Sequence, residues 1–96
     1  MASIRVALAQ LNLRMGDFDS NVVAITDAYD RSVASDADLV VFSELAVCAY
    51  PPEDLLLKQR FIDDAQKAVE VIARHTSEAV AIVGFPEQTN QGLYNS

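Results

Sequence analysis

Residues 38–56 read DLVVFSELAVCAYPPEDLL, and the opening of that stretch decides the fold class. Leu39, Val40, Val41 and Phe42 form a continuous apolar run of strand length, with no alternation of polar and apolar positions. A run of this kind reads as a strand buried on both faces, the habit of strands inside parallel sheets. It ends in Ser43 and Glu44, so a carboxylate stands where a buried strand leaves the sheet.

Working outward, residues 4–11 (IRVALAQL) set Ile4, Val6 and Leu8 on one face and Ala7 and Ala9 on the other. Both faces are apolar, which predicts a second buried strand. Gly16-Asp17-Phe18-Asp19 breaks the run, and Asp19 is the expected N-cap of a helix in which Val22, Ile25, Tyr29 and Val33 recur at helical spacing. Residues 35–38 end that helix and lead into Leu39. Strand, helix and strand within about forty residues predict parallel pairing through a right-handed crossover.

On the other side, Glu53 and Asp54 are expected to cap a short helical turn at Leu55 to Leu57. A second amphipathic helix follows, with Phe61, Ala65, Ala68 and Ile72 in one stripe that Ile62 and Val69 widen. Residues 79–83 (AVAIV) predict a third buried strand, closed by Gly84-Phe85-Pro86, and Thr89 to Gly92 reads as a turn. Leu93-Tyr94-Asn95-Ser96 then opens a strand that has no body. The chain is therefore expected to be an α/β domain cut short: strand, helix, strand, helix, strand and the start of another. No linker marks a second domain, so residues 1–96 are taken as one incomplete unit.

Bulk properties narrow the chemistry. With 51% hydrophobic and 22% charged residues the chain has the composition of a globular sequence. Its 96 residues allow only a thin core. A net charge of −7 disfavours nucleic acid and anionic membrane surfaces as partners. No 18-residue apolar stretch is present, and the cytoplasm is the expected location. One cysteine, Cys48, excludes a disulfide within the chain, and with one histidine, His75, there is no Cys/His set for zinc. Gly16, Gly84 and Gly92 lie too far apart for a dinucleotide fingerprint or a phosphate-binding loop, so nucleotide chemistry is expected outside these residues.

Glu44 is the first candidate for chemistry, because ligands of open α/β sheets bind in the crevice at the carboxyl ends of the strands. The competing structural reading is a carboxylate that caps the next turn or pairs with an arginine. His75 suits the C-terminus of the second helix. Asp27, Asp30, Asp63, Asp64 and Glu70 read as solvated helix faces, and none forms a metal-spaced set.

DLVVFSELAVCAYPPEDLL, together with RVALAQLNLRMGDFDSN (residues 5–21) before it and VGFPEQTNQGLYNS (residues 83–96) after it, resembles the nitrilase superfamily. Within it, Tyr50-Pro51-Pro52-Glu53-Asp54-Leu55-Leu56 resembles the glutaminase domain of glutamine-dependent NAD synthetases. The resemblance implies a partial α-β-β-α sandwich and a Glu-Lys-Cys triad, of which only the glutamate, matching Glu44, falls in these residues. A carboxylate there, partly desolvated, would serve as general base, first for the thiol and then for the water that cleaves the thioester. Tyr50 matches a position that lines the glutamine pocket, against a structural reading as a packing ring stiffened by Pro51 and Pro52.

Cys48 is not the family nucleophile, which lies far downstream; it reads as a small packing thiol. It stands where the branch has a small hydroxyl residue, Ser43 where proline is usual, and Ala49 where glycine is usual. Lys58 and Lys67 match no triad position. The resemblance further implies glutamine as substrate, a homo-oligomer, and a separate synthetase domain that uses ATP and magnesium to amidate nicotinic acid adenine dinucleotide. Residues 1–96 alone are then expected to be inactive. A stand-alone amidase or carbamoylase, and a non-catalytic α/β module, are the other readings.

Overall fold

The apolar run at residues 39–42 becomes the middle of a parallel sheet. The computed structural model describes residues 3–44, 46–48 and 59–96, and its elements run β1 (Val6–Leu8), α1 (Phe18–Ala34), β2 (Leu39–Val41), α2 (Gln59–His75), β3 (Val80–Ile82), β4 (Pro86–Thr89) and β5 (Gly92–Asn95). β1, β2 and β3 form one sheet in that order, both pairings parallel. β4 and β5 form a separate antiparallel hairpin.

The register sorts the side chains of the sheet by size. Ala7, Val40 and Ala81 lie in one row across the three strands, and successive residues of a strand point to opposite faces. This row faces the helices: Val40 is fully buried among Ile25, Ala28 and Tyr29 of α1 and Ala65, Ala68 and Ile72 of α2. Two alanines flanking a valine let both helices approach the sheet closely. Burying the Val40 side chain contributes about 1.5–3 kcal/mol.

The opposite face carries the rows Val6-Leu39-Val80 and Leu8-Val41-Ile82. It is open: Leu8 is 76% and Val80 65% exposed. The expectation that the first and third strands are buried on both sides therefore fails among the described residues. Apolarity on two faces marks a strand built to be covered twice, and here one helical layer covers the sheet once. Only β2, flanked on both edges, is well enclosed.

α1 starts two residues earlier than expected. Asp17, not Asp19, is the N-cap, its Oδ1 accepting from Ser20 N at 3.2 Å, while Asp19 places its charge in the first turn, where the helix dipole favours it. At the other end Asp36 adopts φ 66°, and Ala37 N donates to Ser32 O while Asp36 N donates to Val33 O. Those two bonds form a Schellman stop, which reverses the chain into β2. Asp38 Oδ2 then accepts from Arg5 N, tying the turn to the start of β1.

α2 follows the predicted stripe, with Phe61, Ile62, Ala65, Ala68 and Ile72 all buried. It meets α1 through Phe18 and Phe61, edge to face at 5.0 Å, and through His75 Nε2 with Asp30 Oδ1 at 2.7 Å. Tyr29 links α1 to the entry of β3. Its hydroxyl donates to Ala79 O at 2.7 Å and accepts from Ser77 N and Ala79 N at 2.9 and 3.0 Å, using all its hydrogen-bonding capacity.

The ending also differs from the sequence reading. Residues 93–96 do not open an unpartnered strand: Gly92–Asn95 pairs with Pro86–Thr89, and Phe85 and Ser96 exchange two further hydrogen bonds at 2.9 Å. Pro86 hid β4, because proline argues against a strand interior although it is tolerated at a strand's first residue. The expected turn at Leu55 to Leu57 lies outside the described residues.

Replacing Tyr29 by Phe leaves the buried Ala79 amide and the part-buried Ser77 amide short of an acceptor and is expected to cost about 1–3 kcal/mol. Urea unfolding should show a lower midpoint at an unchanged slope.

Candidate active site

The carboxyl ends of the strands are where the chain concentrates its irregular backbone. β2 ends at Val41, and the next residues stay beside the chain that leaves β3: Phe42 N donates to Ile82 O at 3.0 Å, and Val47 N donates to Gly84 O at 3.3 Å. Glu44 lies between these two anchors, at the strand end predicted for it. It is exposed, so the partial desolvation expected of it is not met among the described residues.

Its partner comes from the hairpin. Asn95 Nδ2 donates to Glu44 Oε1 at 2.5 Å across fifty-one positions of sequence. Because only three residues separate β4 from β3, the zipped pair Phe85 and Ser96 fixes where Asn95 sits relative to the sheet. The expected alternatives for Glu44, a capping contact or an arginine pair, are not what the described residues form.

A second asparagine braces the same loop from below. Asn21 is 1% exposed, yet every polar atom of its side chain is used. Nδ2 donates to Arg14 O at 2.7 Å and to Val47 O at 3.0 Å, and Oδ1 accepts from Arg14 N at 2.8 Å. Gly16 N adds a bond to Cys48 O at 3.2 Å. The loop after Glu44 is thereby stitched to the loop after β1 through a residue of α1. Sequence reasoning missed both asparagines. Asn21 was visible as a polar residue in line with Ile25, Ala28 and Tyr29 on the helix stripe. Asn95 was visible only as part of the YNS pattern, with no hint of its contact.

Cys48 sits at the end of this braced segment and is fully buried beside Phe61 and Ile62. Burial pushes its thiol up to about 11, with a backbone hydrogen bond acting weakly the other way. A thiol held protonated in a closed apolar cluster is a packing group, as its sequence setting suggested. Tyr50, Pro51, Pro52 and Lys58 lie outside the described residues. Among the described residues no group of three His, Cys, Asp or Glu side chains is placed to hold a metal ion, and no helix is long and apolar enough to cross a membrane.

A groove of about 620 Å³ runs between α1 and α2, lined by Phe18, Val22, Lys67 and Val71 among others. Glu44 does not line it. The candidate chemistry is at the strand ends, and the groove belongs to the outer helical surface.

This arrangement has close counterparts. The family described as carbon-nitrogen hydrolase matches residues 5–96. A glutamine-dependent NAD(+) synthetase of Acinetobacter baylyi is 37% identical over the whole of this chain, which spans 18% of that protein's length. The crystal structure of a glutamine-dependent NAD(+) synthetase from Cytophaga hutchinsonii superposes with a TM-score of 0.92 at 26% identity, over 98% of this chain and 16% of its own. An amidase from Nesterenkonia sp. superposes with a TM-score of 0.71 at 26% identity, over 88% of this chain and 32% of its own.

Because Cys48 is buried and held protonated, it should resist thiol reagents at pH 8 in the folded chain and react at once after unfolding in urea. Rapid labelling of the native chain by a disulfide reagent would contradict the packing role.

Proposed function

The chain belongs to the carbon-nitrogen hydrolase family, and on that premise we propose that residues 1–96 are the N-terminal portion of the glutaminase domain of a glutamine-dependent NAD synthetase. The observation that carries this reading is Glu44, a carboxylate set at the carboxyl end of the central parallel strand on a backbone anchored from two sides. The curated relatives support the branch. So does the better superposition on the synthetase than on the amidase, 0.92 against 0.71, which weighs against a stand-alone amidase.

In this reading Glu44 is the general base of a Glu-Lys-Cys triad whose lysine and cysteine lie elsewhere in the longer protein. It takes the proton from the cysteine thiol as sulfur attacks the side-chain amide of glutamine. Glu44 hands that proton to the departing nitrogen as ammonia leaves and, ionised again, takes a proton from the water that opens the thioester and returns it to the cysteine sulfur, so that glutamine and water become glutamate and ammonia. Tyr50 lines the glutamine pocket. Rigidity at the strand end suits this task, since a base must be held within hydrogen-bond reach of the proton it moves.

The ammonia passes to a separate synthetase domain, where ATP and magnesium support amidation of nicotinic acid adenine dinucleotide. Both act in that domain, and no step on this chain runs through them. The whole enzyme works as a cytoplasmic homo-oligomer, and residues 1–96 alone are inactive. The open face of Val6, Leu8, Val80 and Ile82 is where the second sheet of the sandwich packs.

Two experiments test this. In the full-length enzyme Glu44→Gln should lower glutamine-dependent NAD formation by about 10²–10⁴-fold and leave synthesis from added ammonia intact. Near wild-type glutaminase turnover in that variant would remove Glu44 from the mechanism. The 96-residue chain by itself, with its apolar sheet face uncovered, should self-associate and bind a hydrophobic dye. A monomer that unfolds cooperatively would overturn its assignment as part of a larger domain.

A further inference from the structure

We propose that Asn95 is a positioning residue for Glu44, its side-chain amide holding Oε1 of the carboxylate so that Oε2 is the oxygen that moves protons. The inference rests on the glutaminase reading given above and adds a residue to its machinery. Glu44 is exposed, and a glutamate in water samples several rotamers. Among the described residues, the amide of Asn95 is the one hydrogen-bond partner of its carboxylate, at 2.5 Å on Oε1.

The placement of Asn95 is built into the fold. Asn95 lies opposite Pro86 in the hairpin, and Pro86 is buried. The next pair, Phe85 and Ser96, is closed by two hydrogen bonds of 2.9 Å, and Gly84 accepts from Val47, three residues beyond Glu44. The base and its amide partner are thus held by the same exit from β3. An extended backbone at Asn95 aims its side chain to one side of the hairpin, and that side meets Glu44.

The chemistry of an amide suits this post better than that of a cation. A neutral N–H donor fixes one oxygen of the carboxylate and cannot itself take the proton. An arginine or lysine in the same place would stabilise the anion by its full charge and weaken it as a base. With Oε1 occupied, the lone pairs of Oε2 remain for the thiol and then for water, and each transfer returns its proton to the leaving group or product.

The test uses the full-length enzyme with Asn95→Ala and the near-isosteric, uncharged Asn95→Leu, which keeps the bulk and removes the donor. Both should lower kcat for glutamine at least ten-fold with KM within two-fold of wild type, and leave ammonia-dependent synthesis and the melting temperature unchanged. A crystal structure of Asn95→Ala should show the Glu44 carboxylate moved or spread over several rotamers. Turnover within two-fold of wild type in either variant overturns the proposal, as does a loss confined to KM. Equal losses of glutamine-dependent and ammonia-dependent activity with a lower melting temperature mark a scaffold role and also overturn it. A wild-type enzyme that does not hydrolyse glutamine overturns instead the reading on which the proposal rests.

Discussion

A parallel strand cannot satisfy its backbone alone, and β2 is satisfied on both edges at once. Val40 pairs with Ala7 on one side and Ala81 on the other, and both partners reach it only through helical crossovers. Loop closure over such distances opposes folding and has to be repaid by burial. The repayment is concentrated on the helix side, where Val40, Ile25 and Ala65 are each fully buried. The helices and the hairpin are arranged around this strand, and Glu44 emerges at its carboxyl end.

What distinguishes that strand end is the density of polar bracing around a segment with little regular structure. Asn21 from α1, Gly16 from the loop after β1 and Gly84 from the exit of β3 all bond the backbone of Val47 or Cys48. Buried backbone groups outside helices and sheets need such partners, since each one left without costs about 1–3 kcal/mol. The same bonds that satisfy the loop hold its carboxylate in place. The residues that let the loop be buried are therefore also those that fix its conformation.

The two faces of the sheet tell complementary stories. On the helix side the alanines Ala7 and Ala81 make room, and the tyrosine hydroxyl and the His75 contact with Asp30 bind the two helices to each other and to β3. On the other side the large residues Val6, Leu8, Val80 and Ile82 face outward. A contiguous apolar patch of this kind belongs against another surface. In the proposed sandwich the second sheet would supply it.

Much of the fold was legible from side-chain periodicity. Leu39 to Phe42 announced a buried parallel strand, and the stripes from Val22 to Val33 and from Phe61 to Ile72 announced both helices, because burial selects apolar residues at a spacing the backbone dictates. Glu44 was legible too, as a charge out of keeping with the run before it, and motif resemblance singled out its family. The N-cap at Asp17 instead of Asp19, the strand begun by Pro86 and the exposure of β1 and β3 were not. Periodicity reports which faces are apolar, and says nothing of what covers them. The contact between Asn95 and Glu44 was beyond it altogether. Local sequence determined that residues 93–96 extend and that Glu44 ends a strand; only the tertiary structure, by hinging the hairpin off the three residues that follow β3, decided that Asn95 and Glu44 would meet.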